Sequence, residues 1–98
     1  MTNCIFTHEA EQDLKDIAHY TYEKWGLAQA IKYSETLDIC FEKIANKQMI
    51  AKRFSLKYPD LFYVLCEKHY IFYLEGNPPI IIAILHQSMD IVKHLSHR

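Results

Sequence analysis

Glycine is scarce in this chain, and arginine equally so. Gly26 and Gly76 are the only glycines in 98 residues, so few positions suit sharp turns and compact elements with short connections are expected. Arg53 and Arg98 are the only arginines. Lysine therefore supplies most of the positive charge, as a point charge without the bidentate fork that suits phosphates. A basic excess is missing too, since the formal net charge is −1. Dedicated nucleic-acid binders draw most of their affinity from phosphate neutralisation, so this balance tells against direct sequence-specific nucleic-acid binding. No apolar run approaches the ~18 residues of a membrane span. The opening Met1-Thr2-Asn3-Cys4-Ile5-Phe6 has neither a basic region nor a long apolar core. A cytoplasmic protein without membrane contact is expected. Cys4, Cys40 and Cys66 show no C-x-x-C spacing and read as buried free thiols in a reducing compartment.

What is present points to a folded chain. Half of the residues are hydrophobic and 13% are aromatic, enough for one modest core and one domain over residues 1–98. A short apolar stretch at residues 3–6 suggests an edge strand. Thr7 can then cap a helix whose first turn holds Glu9 and Glu11, where carboxylates favour the helix dipole. Ala10, Leu14, Ile17, Ala18, Thr21 and Trp25 recur on one face of that helix. Gly26 is expected to stop it in a left-handed conformation. A second helix follows at once, with Leu27, Ala30, Ile31, Ser34, Leu37, Phe41, Ile44 and Ala45 on one face and Asn46 as terminator. So short a connection predicts an antiparallel hairpin.

After Met49 the period changes. Residues 52–55, 61–66 and 69–74 are strand-prone, with Glu67-Lys68 as a turn, and Gly76-Asn77-Pro78-Pro79 is a clear loop. Ile80 to Leu85 runs without alternation, as expected of a central strand buried on both faces. Residues 89–98 can form a short helix or a tail. The expected fold is α+β: an N-terminal strand and a two-helix antiparallel hairpin packed on a three- to four-stranded antiparallel sheet. Trp25, Gly26, Leu37, Phe41, Phe72, Ile82 and Ile84 are its expected structural residues. An exposed apolar groove along the two helices is also expected, because the chain is rich in apolar residues for its size.

Read in order, these segments resemble the ParE branch of the RelE/ParE toxin superfamily. The resemblance is carried by Ala10, Asp13-Leu14, Ile17, Tyr20-Thr21, Trp25-Gly26 and Gln29-Ala30. It continues through Tyr33, Leu37, Phe41, Ile44 and Ala45 to His69, Ile71-Phe72-Tyr73, Ile84-Leu85-His86, Met89-Asp90 and His94-Leu95. It implies the toxin of a type II toxin–antitoxin pair, neutralised by a ParD-like antitoxin and acting on DNA gyrase by binding, with no catalytic residues and no cofactor. RelE-like relatives share the fold but cut mRNA on the ribosome. The chain departs from the family where many ParE sequences carry arginine: Phe62, Leu74 and Ala83 stand there instead. A degenerate, non-toxic relative that only binds an antitoxin is the remaining alternative.

An RNA-cleaving relative would need a cationic clamp for the phosphate and groups to move protons. Lys52, Arg53, Lys57, Lys68, His69 and His86 are the candidates. His86, closing the central strand, has the best position for an acid or base, yet it matches a histidine of non-cleaving relatives. For both histidines the structural reading is the stronger. Lys52, Arg53, Lys68, His69 and His86 are carried forward as target or antitoxin contacts. The adjacent pair Lys52-Arg53 suits an acidic partner, where such charges steer association. His94 and His97 could share a metal on a helix, but no third ligand is visible, and no metal is expected. Of the tyrosines predicted on the sheet (Tyr58, Tyr63, Tyr70, Tyr73), alternation points some at the helices and some outward.

Overall fold

Thr7 starts the first helix as its side chain suggests: its hydroxyl accepts the Ala10 N–H at 3.1 Å. The computed structural model describes residues 3–96 and 98, the span to which all structural statements refer. Strand β1 (Ile5–Phe6) leads into helix α1 (His8–Trp25), and helix α2 (Leu27–Ala45) follows after Gly26 alone. Strands β2 (Lys52–Ser55), β3 (Tyr58–Cys66), β4 (His69–Leu74) and β5 (Ile80–His86) come next, and helix α3 (Ile91–Leu95) closes the order. The class is α+β, a helix pair over a sheet.

The sheet has five strands in the order β1-β5-β4-β3-β2 and is mixed. The expected arrangement holds, and the N-terminal strand joins the four antiparallel strands to bring the count to five. β2 to β5 are antiparallel, as their short turns require, but β1 pairs parallel to β5 through Ile5↔Ile80 and Phe6↔Ile81. A two-residue strand has too little alternation to reveal its partner, and the pairing spans nearly the whole chain.

Alternation along the strands builds two cores. Val64, Cys66, Ile71, Tyr73, Ile81 and Ile84 face the helices and meet Ala10, Leu37, Phe41 and Ile44. Leu61, Phe72, Ala83 and Leu85 face the other way, where Ile82 and, from α3, Ile91 and Leu95 pack against them. The C-terminal segment is thus a short helix covering the second face, capped by Asp90, whose carboxylate accepts the Lys93 N–H at 3.3 Å. Leu37, Phe41, Phe72 and Ile84 are buried as expected, and Ile82 is half-buried.

Other expectations are corrected. Trp25 is 63% exposed rather than a core anchor. The hairpin tip, residues 22–29, buries no side chain fully, so the helical period runs on past the end of the packed interface. Leu27 and Ile31 are exposed for the same reason. Gly26 does reverse the chain at positive φ, but with φ 94° and ψ 175° it is extended rather than left-handed helical, in a region nearly exclusive to glycine. Cys40 and Cys66 are joined by a disulfide, so only Cys4 is a free thiol. Sequence spacing could not show this, because the two meet only when α2 lies over the end of β3.

Candidate functional site

Three regions collect the residues with chemical or binding potential. The first lies where α2 crosses the β3–β4 turn. Tyr33 is on the sheet-facing side of α2, one turn before Leu37 and two before Phe41. Its oxygen accepts the Lys68 backbone N–H at 3.3 Å and lies 2.6 Å from His69 Nδ1. The Tyr33 hydroxyl and His69 Nδ1 thus share one hydrogen bond, while the Lys68 N–H supplies a second donor to the same phenol oxygen. The ring of His86, paired with His69 across β4 and β5, stands edge-on to it at 5.1 Å. Ser88 brings both its hydroxyl, at 2.7 Å, and its backbone N–H, at 3.1 Å, to His86 Nδ1. Burial, reinforced by the neighbouring His86 and only partly opposed by Asp13, lowers the pKa of His69 to about 4. His69 is therefore neutral at physiological pH. Burial likewise raises the Tyr33 phenol, which stays protonated.

Lys68, His69 and His86 thus converge at one end of the sheet, while Lys52 and Arg53 lie apart on the edge strand β2. Lys52 and Arg53 are exposed and pair with Tyr63 and Phe62 of β3. Arg53 Nε donates to the Pro59 carbonyl at 3.1 Å, and its guanidinium lies 5.7 Å from the centre of the Phe62 ring. Together with Lys47, Asp60 and Glu75 it lines a shallow polar cleft of about 490 Å³. Lys57 sits at the β2–β3 turn over the ring of Tyr58. The three apolar replacements differ in setting. Phe62 stacks on Tyr73 at 6.2 Å, Leu74 is at the margin of exposure, and Ala83 is fully buried. Tyr58 is exposed, Tyr73 is buried toward the helices, and Tyr63 and Tyr70 join Phe54 and Phe72 in an aromatic cluster on the other face.

The second region went unread in the sequence. β5 bulges between its pairings with Phe72 and Tyr73, and β1 covers only its first part. The open edge beyond is closed by side chains. Asp13 of α1 accepts the Ile84 N–H at 3.0 Å, and Arg98 donates to the Ile82 carbonyl at 2.8 Å. Arg98 and Asp13 also form a two-pronged ion pair, each contact 2.9 Å, with both side chains largely buried. Unpaired backbone groups on a strand edge attract other chains, and this pair removes two of them. A signal existed: Asp13 and Tyr33 both fall on the apolar face of their helices, where a polar group needs a partner.

The third region is the outer side of the helical hairpin. Ala18, His19 and Tyr22 of α1 and Leu27, Ala30, Ile31, Ser34, Glu35 and Asp38 of α2 line an open groove of about 480 Å³. Its apolar floor is edged by Glu35 and Asp38. At the tip, Lys24 lies over the rings of Tyr20 and Trp25, 5.7 and 5.9 Å from their centres. This is the exposed groove that composition predicts. Among the described residues no group of His, Cys, Asp and Glu could hold a metal ion; His97, paired with His94 in the metal reading, lies outside them. No described helix is long and apolar enough to cross a membrane.

Residues 4–91 match the model of the family described as ParE toxin of type II toxin-antitoxin system, parDE. Toxin ParE of Escherichia coli is 39% identical, covering 100% of this chain and 97% of its own length. Toxin ParE1 of Caulobacter vibrioides is 35% identical over 91% of this chain and 93% of its own. Among solved structures, a chain of the chromosomal ParDE TA system from P. aeruginosa superposes with a TM-score of 0.69, covering 88% of this chain and 96% of its own; at 21% identity it speaks to the fold.

Proposed function

The chain belongs to the ParE toxin family of type II toxin–antitoxin systems, and from that membership we propose that it inhibits DNA gyrase by binding and is neutralised by a ParD-like antitoxin. One observation carries the reading: the likeness to named ParE toxins runs through the whole chain rather than through a detachable motif. The toxin is a single domain over residues 1–98 and acts in the cytoplasm without a cofactor. An apolar segment of the antitoxin occupies the groove between α1 and α2, where Tyr22, Leu27 and Ile31 offer exposed apolar area. Lys52, Arg53, Lys68, His69 and His86 are its proposed polar contacts to target or antitoxin. Of these, Lys52 and Arg53 are the adjacent exposed pair on β2 that would steer encounter with an acidic partner.

A second reading has its own observation. Tyr33, Lys68, His69 and His86 meet at one end of the sheet, which is the kind of convergence a RelE-like ribosome-dependent endoribonuclease requires. Against it, His69 Nδ1 is already engaged by Tyr33, and both arginines are engaged elsewhere, at Pro59 and Asp13. Of the cationic candidates for a phosphate clamp, Lys68 is the one that belongs to the β3–β4 turn beside these histidines.

Induction in a bacterial host, with and without a co-expressed ParD-like antitoxin, separates the readings. Gyrase poisoning gives DNA breaks, SOS induction and filamentation, all relieved by the antitoxin. An early translation stop with ribosome-dependent mRNA cuts would establish the nuclease instead. Normal growth at confirmed soluble expression would mark a non-toxic relative, in keeping with the apolar Phe62, Leu74 and Ala83.

A further inference from the structure

We infer that Cys40 and Cys66 form a reversible redox tether, through which a small-molecule thiol–disulfide couple of the glutathione class sets how firmly α2 is held to the sheet. The bond joins the C-terminal half of α2 to the last residue of β3, across 26 residues of sequence. Their Cα atoms are 6.6 Å apart, within the range that a disulfide can span.

The surroundings accommodate both oxidation states. When the bond is open, the Cys66 thiol has an acceptor ready in the Thr36 carbonyl, 3.9 Å from its sulfur. Cys66 is only 3% exposed, whereas Cys40 is half-buried, so an incoming thiolate meets Cys40 first. It attacks Cys40 Sγ, forming a mixed disulfide there and releasing the Cys66 thiolate, which takes a proton from water. A second small thiolate then attacks the small-molecule sulfur of that mixed disulfide. The Cys40 thiolate leaves and is protonated, and the small molecule departs as its own disulfide. Two electrons pass from two small thiols to the protein, and the reverse sequence closes the bond.

Position gives the tether its consequence. Cys66 pairs with His69 across the β3–β4 turn, and Tyr33, two turns before Cys40, bonds His69 and the Lys68 N–H. With the disulfide open, α2 is held at this end by those hydrogen bonds and by the packing of Leu37, Phe41 and Ile44. The same helix supplies Ile31, Ser34, Glu35 and Asp38 to the outer groove. Opening the bond therefore loosens one wall of that groove. The inference stands apart from the toxin reading and can fail or hold without it.

The test uses the full chain equilibrated in glutathione buffers from fully reduced to fully oxidised, quenched, alkylated and read by mass spectrometry. Cys40 and Cys66 are expected to gain and lose their alkyl groups together while Cys4 is scored separately. Hydrogen exchange in the same buffers is expected to slow at least about tenfold across residues 36–45 in the oxidised form. Cys40→Ser should show the reduced pattern in every buffer. The inference is overturned if Cys40 and Cys66 stay as two thiols in oxidised glutathione, or are trapped as independent mixed disulfides. Exchange that is identical in the two forms of the native sequence overturns it as well, and that comparison needs no variant.

Discussion

The helical hairpin has two apolar sides, and their fates differ. Toward the sheet, Ala10, Leu37, Phe41 and Ile44 are buried among the strand side chains. On the outer side and at the tip, Tyr20, Tyr22, Trp25, Leu27 and Ile31 are each more than half exposed. Burying a large apolar side chain contributes about 1.5–3 kcal/mol, so the outer residues forgo that gain in the isolated chain. A fold does not need them there. Residues of one chemical class thus divide into those that close the core and those left at the surface, and position relative to the sheet decides which.

The sharpest way to break this contrast is to truncate residues on each side. Phe41→Ala is expected to cost about 3–5 kcal/mol in urea denaturation, since a fully buried ring leaves a cavity. Trp25→Ala and Leu27→Ala should stay within about 0.5 kcal/mol of the parent. Ile31→Asp should instead weaken binding of the cognate antitoxin at least about tenfold in calorimetry, without loss of fold. Equal stability losses on the two sides would dissolve the distinction.

Next in size is the closed edge of β5. Asp13→Ala leaves the Ile84 N–H without its acceptor and the Arg98 guanidinium without its counter-charge, and is expected to cost about 2–3 kcal/mol. Arg98→Ala should cost less, because Asp13 keeps its bond to Ile84. Gly26→Ala comes third, at about 1–2 kcal/mol from backbone strain alone, since an added Cβ would meet nothing within 4 Å. It tests whether the tip is merely exposed or also conformationally set.

The smallest effect is a pH dependence at the inner side. His69 titrates near 4 in the fold, below its ordinary value of 6.5. Between those values the unfolded chain binds a proton that the native chain does not. Stability is therefore full above about pH 6.5 and falls as pH drops toward 4, by about 1 kcal/mol once solvent screening is allowed for. His69→Gln should flatten that slope in denaturation curves collected across the window.

Much of this arrangement was legible in the sequence, and the losses have particular causes. Local rules found Thr7 as the cap, Asn46 as the stop, the Glu67-Lys68 turn and the buried run of β5. Periodicity placed Trp25 with the core because a helical repeat does not record where the sheet beneath it ends. The parallel pairing of β1, the Cys40–Cys66 bond and the Asp13–Arg98 clamp each join residues far apart in sequence, and nothing local encodes them. Within the candidate site, His69, His86 and Lys68 were read as separate residues. The role of Tyr33, which ties His69 to the Lys68 backbone, is not encoded locally, because its two partners lie 35 and 36 residues away.

Gyrase inhibition by binding is the proposed action of this ParE-family chain. Purified protein added to gyrase and supercoiled plasmid tests it most directly, with cleaved DNA measured after detergent quench. Cleaved DNA is expected to rise with toxin and to disappear when a ParD-like antitoxin is added first. Unchanged gyrase activity at saturating protein, with mRNA cut on added ribosomes, would contradict it.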